Sequence, residues 1–439
     1  MLKQIYDKLQ GKKILILGFG REGKASYRFI RNGLGDMPLT IADKNEVNTE
    51  NLVNVDVISG ENYQKTLGKY DIILKSPGIV LEDKSEDVLK RVTSQTELFM
   101  NAFKKQVIGI TGTKGKSTTT TLIYHILKSV NENCLLMGNI GIPSFDLVDK
   151  IDKDTMIVYE LSCHQLEYID ASPKTAVLLN VFEEHLDHYG TFEKYIHAKE
   201  NICRYQEKGD TLVCNIQNLE NAKTHANIIT ASLDDKNADI FVEGNTVFYK
   251  DQKIEIPTPE IKLAGRHNLY NIGVAFAVCS QYGVKAIDFI KALKSYEPLP
   301  HRLQNVGTYD GITFYDDSIS TIGETTISAL KSLTNVGTLL LGGMDRGVDY
   351  TNLAKYLSNS QVKNIILMPD TAERIDKLLS KGNNKNIIFA KDLKEAVELA
   401  KKVTEKGENC LLSPAAASYG FFRDFEERGY YFQKYVKGE

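Results

Sequence analysis

QVIGITGTKGKSTTTTLIYHILKSV, residues 106–130, passes from an apolar run through a glycine turn into a long stretch with apolar positions at helical spacing. That order is strand, loop, helix. Within it, Gly109–Thr118 read G-I-T-G-T-K-G-K-S-T. A glycine-rich turn between strand and helix aims backbone N–H groups at an anion, helped by the positive end of the helix. Lys116 then reaches terminal phosphates and the Ser117 hydroxyl holds Mg2+. The strict eight-residue pattern is not met, because Ile110 stands where its first glycine belongs and Gly112 opens a shorter loop. G-K-S alone is common by chance; at a strand-to-helix junction, with a second glycine three residues earlier, it is not. Gly112, Thr113, Lys114, Gly115, Lys116, Ser117 and Thr118 are therefore expected to bind nucleotide phosphates.

The same alternation of short apolar runs and helical stretches continues on both sides. Upstream come KKILILG, PLTIAD, VDVISG and YDIILKSPG; downstream, TMIVYELS, TAVLLNV and GDTLVCN. Strand-length runs spaced by helices indicate parallel βαβ units. Short runs with turn residues between Asn215 and Leu263 predict a small antiparallel insert. After EPLPHR, whose two prolines break a helix, a third series begins with GITFYDDS and VGTLLLGG. The expectation is an α/β protein of three domains, residues 1–104, 105–300 and 301–439.

Composition narrows the class. With 439 residues, 42% apolar and 25% charged, the chain is an ordinary globular protein of several domains. A net charge of −3 argues against a general nucleic-acid grip. The six cysteines lack metal or disulfide spacing, which suits a reducing compartment. MLKQIYDKLQGKK is polar and is read as leading straight into a strand, with no signal peptide; no run is long enough to span a membrane. The expected setting is the cytosol.

A second loop, Gly18-Phe-Gly20-Arg-Glu-Gly23, follows KKILIL, and Asp43 ends the next strand. This satisfies the dinucleotide fingerprint, with Asp43 placed for a ribose hydroxyl. Alone it suggests an NAD-dependent oxidoreductase, or a tight turn without ligand. The loop reads pyrophosphate, however, so any nucleoside diphosphate suits it, and a neighbouring ATP loop makes a redox cofactor superfluous. Downstream, Glu160 ends the strand TMIVYELS, His185 lies in NVFEEHLDH (180–188), and Lys199 sits on the probable helix TFEKYIHAKENICRY. A carboxylate and an imidazole beside a phosphate loop make sense as Mg2+ ligands, although imidazole is an unusual partner for so hard a cation. Taken singly, each is more ordinarily a surface or cap residue.

TGTKGKST, ELSCHQLE, NVFEEHLDH, AGRHNLYN (264–271), LPHRLQ (299–304), DDS (316–318) and LSPAAASYGFFRDFEERGYYF (412–432) occur in the order found in the Mur ligases. The chain resembles that family over essentially its whole length, and within it the branch that adds glutamate. The resemblance implies a Rossmann-like N-terminal domain for a UDP sugar, a central P-loop ATPase and a Rossmann-like C-terminal domain. It implies that ATP activates the carboxylate of UDP-N-acetylmuramoyl-L-alanine as an acyl phosphate, to which D-glutamate is joined, in a monomeric cytoplasmic enzyme.

Site residues follow from the same resemblance. Gly18, Gly20, Gly23, Asp43, Ser76, Pro77 and Gly78 would surround the UDP portion, with Asn139 near the uracil. Lys116, Ser117 and Glu160 would serve ATP and one Mg2+; His185 and a carbamylated Lys199 would serve a second. Asn268, Asn271, Arg302 and Asp317 would position adenine, ribose and phosphates. Thr321, Arg346, Ser418 and Phe425 would face glutamate. Lys116, His185 and Lys199 carry the catalytic expectation. Two departures stand out: Cys163-His164 replace the family's Ser-Phe, and Asp317-Ser318-Ile319-Ser320-Thr321 lacks its lysine at Ile319. Lost charge near the substrate keeps an L-glutamate-adding variant as an alternative. A folylpolyglutamate synthetase-like ligase and a non-catalytic nucleotide-binding scaffold are the others; the first lacks an N-terminal G-x-G-x-x-G domain.

Overall fold

The computed structural model describes residues 1–263, 265–379 and 385–439. Ala264, which heads the 264–271 motif, and the side chain of Asp187 in 180–188 lie outside the described residues. The chain forms two compact units, Met1–Tyr296 and Glu297–Glu439. Among the described residues, no helix is long and apolar enough to cross a membrane.

The polar start does not lead straight into a strand. Leu2–Leu9 is a helix that buries Ile5 and Leu9, an i,i+4 pair that shares one face. Five parallel strands follow: β1 (Ile14–Leu17), β2 (Leu39–Asp43), β3 (Val55–Ser59), β4 (Ile72–Lys75) and β5 (Val92–Thr93), in the order β3-β2-β1-β4-β5. Every residue of β1 is buried, as expected of a parallel strand covered on both faces.

The second sheet has nine strands: β6 (Val107–Thr111), β7 (Cys134–Gly138), β8 (Met156–Glu160), β9 (Thr175–Leu178), β10 (Thr211–Asn215), β11 (Asn227–Ala231), β12 (Ile240–Glu243), β13 (Thr246–Tyr249) and β14 (Gln252–Glu255). Their order is β14-β13-β12-β11-β10-β9-β6-β8-β7. The expected antiparallel insert is thus corrected. β11 and β12 join in parallel, only β12–β13–β14 is antiparallel, and all of them extend the central sheet. The helix Arg266–Gln281 supplies the cover that makes this possible: a Cβ on Gly273 would lie 3.0 Å from Ile240 and 3.2 Å from Val247. The first two sheets also share an apolar core, in which Ile14 and Ile16 join Phe99, Tyr159 and Leu161.

In the second unit, β15 (Gln304–Tyr309), β16 (Ile312–Asp316), β17 (Val336–Gly342), β18 (Asn364–Met368), β19 (Asn386–Phe389) and β20 (Asn409–Leu412) take the order β15-β16-β20-β17-β18-β19. Only β15 runs antiparallel. All seven residues of β17 are buried, and each of its leucines contributes about 1.5–3 kcal/mol by leaving water.

Candidate active site

β6 lies inside its sheet, between β8 and β9, so its carboxyl end opens where the chain's path reverses. There Gly112 has φ +154°, and a Cβ on it would fall 2.6 Å from that of Leu179. Gly115 has φ +87°, and its Cβ would meet Asn271 Oδ1 at 2.7 Å. Only glycine fits either position. The loop is fastened to the end of β9: Thr113 N donates to Asn180 O at 2.7 Å, and Lys114 N to Asn180 Oδ1 at 3.0 Å. Thr113 Oγ1 also pairs with the Tyr195 hydroxyl at 2.9 Å. These bonds shape the loop in advance of any ligand. Lys116 opens the helix Lys116–Val130 and donates to the carbonyls of Gly112 and Thr113, both at 2.9 Å. Ser117 is buried beside it and Thr118 is half-buried. Asn271 Nδ2 donates to Asn268 Oδ1 at 3.0 Å, which brings that pair to the same loop.

Lys199, on the helix Phe192–Arg204, is buried and donates to Gly112 O at 2.7 Å. Burial first, then the neighbouring charge of Lys116, pull its pKa down to about 7. Glu160 ends β8 fully buried; its Oε1 accepts from Asn139 Nδ2 at 2.8 Å, while Oε2 has no hydrogen-bond partner. Leaving a buried acceptor unpaired costs about 1–3 kcal/mol. A cation at that oxygen would remove the cost, so Glu160 and the Ser117 hydroxyl, both hard oxygen donors, fit Mg2+. Among the described residues no three His, Cys, Asp or Glu side chains gather as a metal set; Ser117, Glu160, His185 and Lys199 include only two residues of those types.

His185 precedes the helix Leu186–Tyr189 with φ +56°, and its ring lies 6.0 Å from that of Tyr195, which pairs with the phosphate loop. One of the two departures from the family pattern, Cys163-His164, lies here. The His164 ring is 5.0 Å from His185 and 4.5 Å from His188, and Cys163 Sγ is 3.6 Å from His164 Nδ1.

At the first sheet, β1 occupies the corresponding reversal between β2 and β4. A Cβ on Gly23 would fall 2.0 Å from Gly18 O, so the helix Arg21–Leu34 can start this close to the strand only with glycine there. Asp43 is engaged with the loop itself, accepting from Phe19 N at 2.7 Å and Asn45 N at 2.8 Å. Ser76 Oγ donates to Gly18 O at 2.9 Å, while space around Gly20 and Gly78 is open. Lys75, absent from the sequence reading, is buried and donates to Pro77 O at 3.1 Å; burial lowers its pKa to about 8. Its signal was a lysine ending an otherwise apolar strand. Asn139, expected near the uracil, spends its side-chain amide on Glu160.

In the second unit, Asp317 is buried and accepts from Ser413 Oγ at 2.8 Å and Leu303 N at 3.2 Å; burial lifts its pKa to about 6 against these bonds and the exposed Arg302. Arg428 was missed by sequence reading. Fully buried, it donates to Ser318 Oγ at 3.0 Å, Ser318 O at 2.8 Å and Ala416 O at 3.0 Å, and Ser318 Oγ donates to Phe425 O at 2.8 Å. It therefore joins the segments that carry Thr321, Ser418 and Phe425. Ser418 is buried, Thr321, Phe425 and Ile319 are half-buried, and Arg346 is exposed. Near Arg346, Arg374 pairs with Asp345 and donates to Val348 O at 2.9 Å.

Residues 110–279 match the Mur ligase middle domain, and residues 301–416 match the Mur ligase, glutamate ligase domain. The chain is 35% identical over 444 residues to the UDP-N-acetylmuramoylalanine–D-glutamate ligase of Ligilactobacillus salivarius, with 97% of this chain and 96% of that protein covered. It is 33% identical to the protein of the same name from Oenococcus oeni, with 98% and 97% covered. Among solved structures, the MurF ligase of Thermotoga maritima in complex with ADP shares the fold, with a TM-score of 0.52, 18% identity, and 97% and 95% of the two chains covered.

Proposed function

The chain belongs to the Mur ligase family, and from that premise we propose that it is an ATP-dependent ligase joining D-glutamate to UDP-N-acetylmuramoyl-L-alanine in peptidoglycan precursor synthesis. The observation that supports the chemistry is the meeting of Lys116 and Lys199 on Gly112 O, beside a phosphate loop held open by its own hydrogen bonds. A carboxylate does not condense with an amine at neutral pH. The γ-phosphoryl group of ATP therefore passes to a carboxylate oxygen of the alanine, ADP leaves, and the glutamate amine attacks the acyl carbon. The tetrahedral intermediate then expels phosphate.

Residues 112–118 hold the nucleotide phosphates, and Lys116 offsets charge as it spreads over the transferring group. Asn268, Asn271, Arg302 and Asp317 serve the rest of ATP. Gly18, Gly20, Gly23, Asp43, Ser76, Pro77 and Gly78 form the UDP-sugar site on a Rossmann-like domain, residues 1–104, with Asn139 of the central domain near the uracil. Residues 105–300 form the ATPase, and 301–439 a second Rossmann-like domain with Thr321, Arg346, Ser418 and Phe425 at glutamate. Two Mg2+ ions, one at Ser117 and Glu160 and one at His185 and Lys199, would supply charge neutralisation on the phosphates. An amine with a pKa near 7 is partly neutral at physiological pH, which supports a carbamylated Lys199. The test is phosphate release from ATP with UDP-N-acetylmuramoyl-L-alanine and each enantiomer of glutamate. Release with D-glutamate alone is expected. Release with L-glutamate alone would move the assignment to the other isomer, the alternative that isoleucine at position 319 keeps open, and release with neither would remove glutamate as the substrate.

A further inference from the structure

Arg21 is an exposed residue that opens the helix Arg21–Leu34, directly after the glycine loop of the first sheet. Its guanidinium is nevertheless committed. It donates to the backbone carbonyls of Gly138 at 3.3 Å, Asn139 at 3.0 Å and Gly141 at 3.3 Å. Gly138 ends β7 and the other two belong to the turn after it; Gly138 and Gly141 have φ +108° and +87° and leave the backbone free to adopt other shapes. A rigid planar fork can hold such a turn in one of them, which a flexible ammonium cannot do as well.

That turn carries Asn139. Its side-chain amide donates to Glu160 Oε1 at 2.8 Å, and its N–H donates to the Glu160 carbonyl at 3.0 Å. The other carboxylate oxygen of Glu160 is the buried one without a partner. The next residue of the same helix holds the segment that follows Glu160. Glu22 accepts from Gln165 Nε2 at 2.7 Å, and Gln165 closes the capping box of the helix Cys163–Leu166, just after Glu160. One helical turn at the first sheet thus reaches both the turn that holds the Glu160 carboxylate and the short helix that follows Glu160.

We propose that Arg21 is a positioning residue of the nucleotide–metal site, acting through Asn139 to aim the free oxygen of Glu160. The proposal rests on the reading of Glu160 as a ligand of Mg2+. It assigns to the residue directly after Gly-Phe-Gly a task at the ATP site, separate from any contact with the UDP sugar. A direct binding measurement on the full chain tests it, with Mn2+ as the probe titrated calorimetrically at saturating ADP. Arg21→Ala and Arg21→Gln should each weaken Mn2+ binding about tenfold, the scale of a modest coupling between sites, while metal-free ADP binding and the thermal midpoint stay at the wild-type values. The double variant Arg21→Ala/Asn139→Ala should bind Mn2+ no more weakly than Asn139→Ala alone, because both changes cut one chain of contacts. Wild-type Mn2+ affinity in the Arg21 variants, or fully additive losses in the double variant, would overturn the link. Glu160→Gln is the separate check on the reading beneath it: unchanged Mn2+ affinity there removes Glu160 as a ligand and the proposal with it.

Discussion

Lys116 and Lys199 both donate to the carbonyl oxygen of Gly112, at 2.9 and 2.7 Å, which leaves the Lys116 ammonium at the loop to meet an anion. Replacing Lys116 with alanine should cut turnover by about 10²–10³-fold or more, the usual cost of deleting one donor from a site of developing charge. A folded variant with turnover near wild type would defeat the assignment. Asp317 offers a test of opposite character. Burial lifts its carboxyl from 3.8 to about 6, so between those pH values the folded chain keeps a proton that the unfolded chain has released. Stability contributed by this group therefore falls as pH rises through the window and is fully retained below it. Asp317→Asn should be more stable than wild type at pH 7 by roughly 1–3 kcal/mol, with the gap closing by about pH 4. Since the chain has no tryptophan, urea unfolding followed by circular dichroism is the measurement. A gap independent of pH would show that Asp317 is not the titrating group. At this scale, sequence exposes what is local: Lys116 and Ser117 follow from one loop. Lys199, 87 residues from Gly112, stands out on its helix, but its role comes only through family resemblance. Arg21, Lys75 and Arg428 stayed hidden because most of their partners are backbone carbonyls, which leave no mark in side-chain patterns.

The two glycine loops show how elements are seated. Gly23 and Gly20 belong to one fingerprint, yet they answer to different constraints. A methyl at Gly23 would sit 2.0 Å from a backbone oxygen, which cannot move aside without shifting the helix off β1. At Gly20 φ is −74° and nothing lies within 4 Å. Gly23→Ala should therefore destabilise by about 1–3 kcal/mol through overpacking and raise the UDP-substrate KM, whereas Gly20→Ala should leave the unfolding midpoint nearly unchanged. Equal losses in the two variants would mean that the close approach at Gly23 does not govern the loop. Elements with continuous apolar runs, such as β1, β6 and β17, were legible because parallel strands are covered on both faces. β11–β14 misled as a separate insert. Their alternating pattern announces a one-sided strand but not which helix covers it, and here Arg266–Gln281 draws them into the main sheet.

For the whole molecule, alternation along the chain anticipates three α/β series, and three sheets are present. How many cooperative units they make depends instead on which apolar faces are shared, and one aromatic cluster decides that for the first two. Phe99 precedes the second sheet in sequence, stacks on Phe103 at 4.7 Å and meets Tyr159 of β8 edge-on at 5.7 Å. The same core includes Ile14 and Ile16 of β1. Residues 1–104 cannot separate from the second sheet without exposing that cluster to water. The cores around β17, with Leu339 and Leu341 on one face and Leu340 on the other, belong to Glu297–Glu439 alone. Calorimetry of the ligand-free chain should accordingly resolve two cooperative transitions, not three. Phe99→Ala leaves a large cavity and should cost about 3–5 kcal/mol. That loss should lower the whole transition of Met1–Tyr296, both sheets together, and leave the other midpoint in place. Leu340→Ala should do the reverse. A third transition assignable to residues 1–104, or a Phe99→Ala effect confined to one of the first two sheets, would show that the shared core does not make them one folding unit.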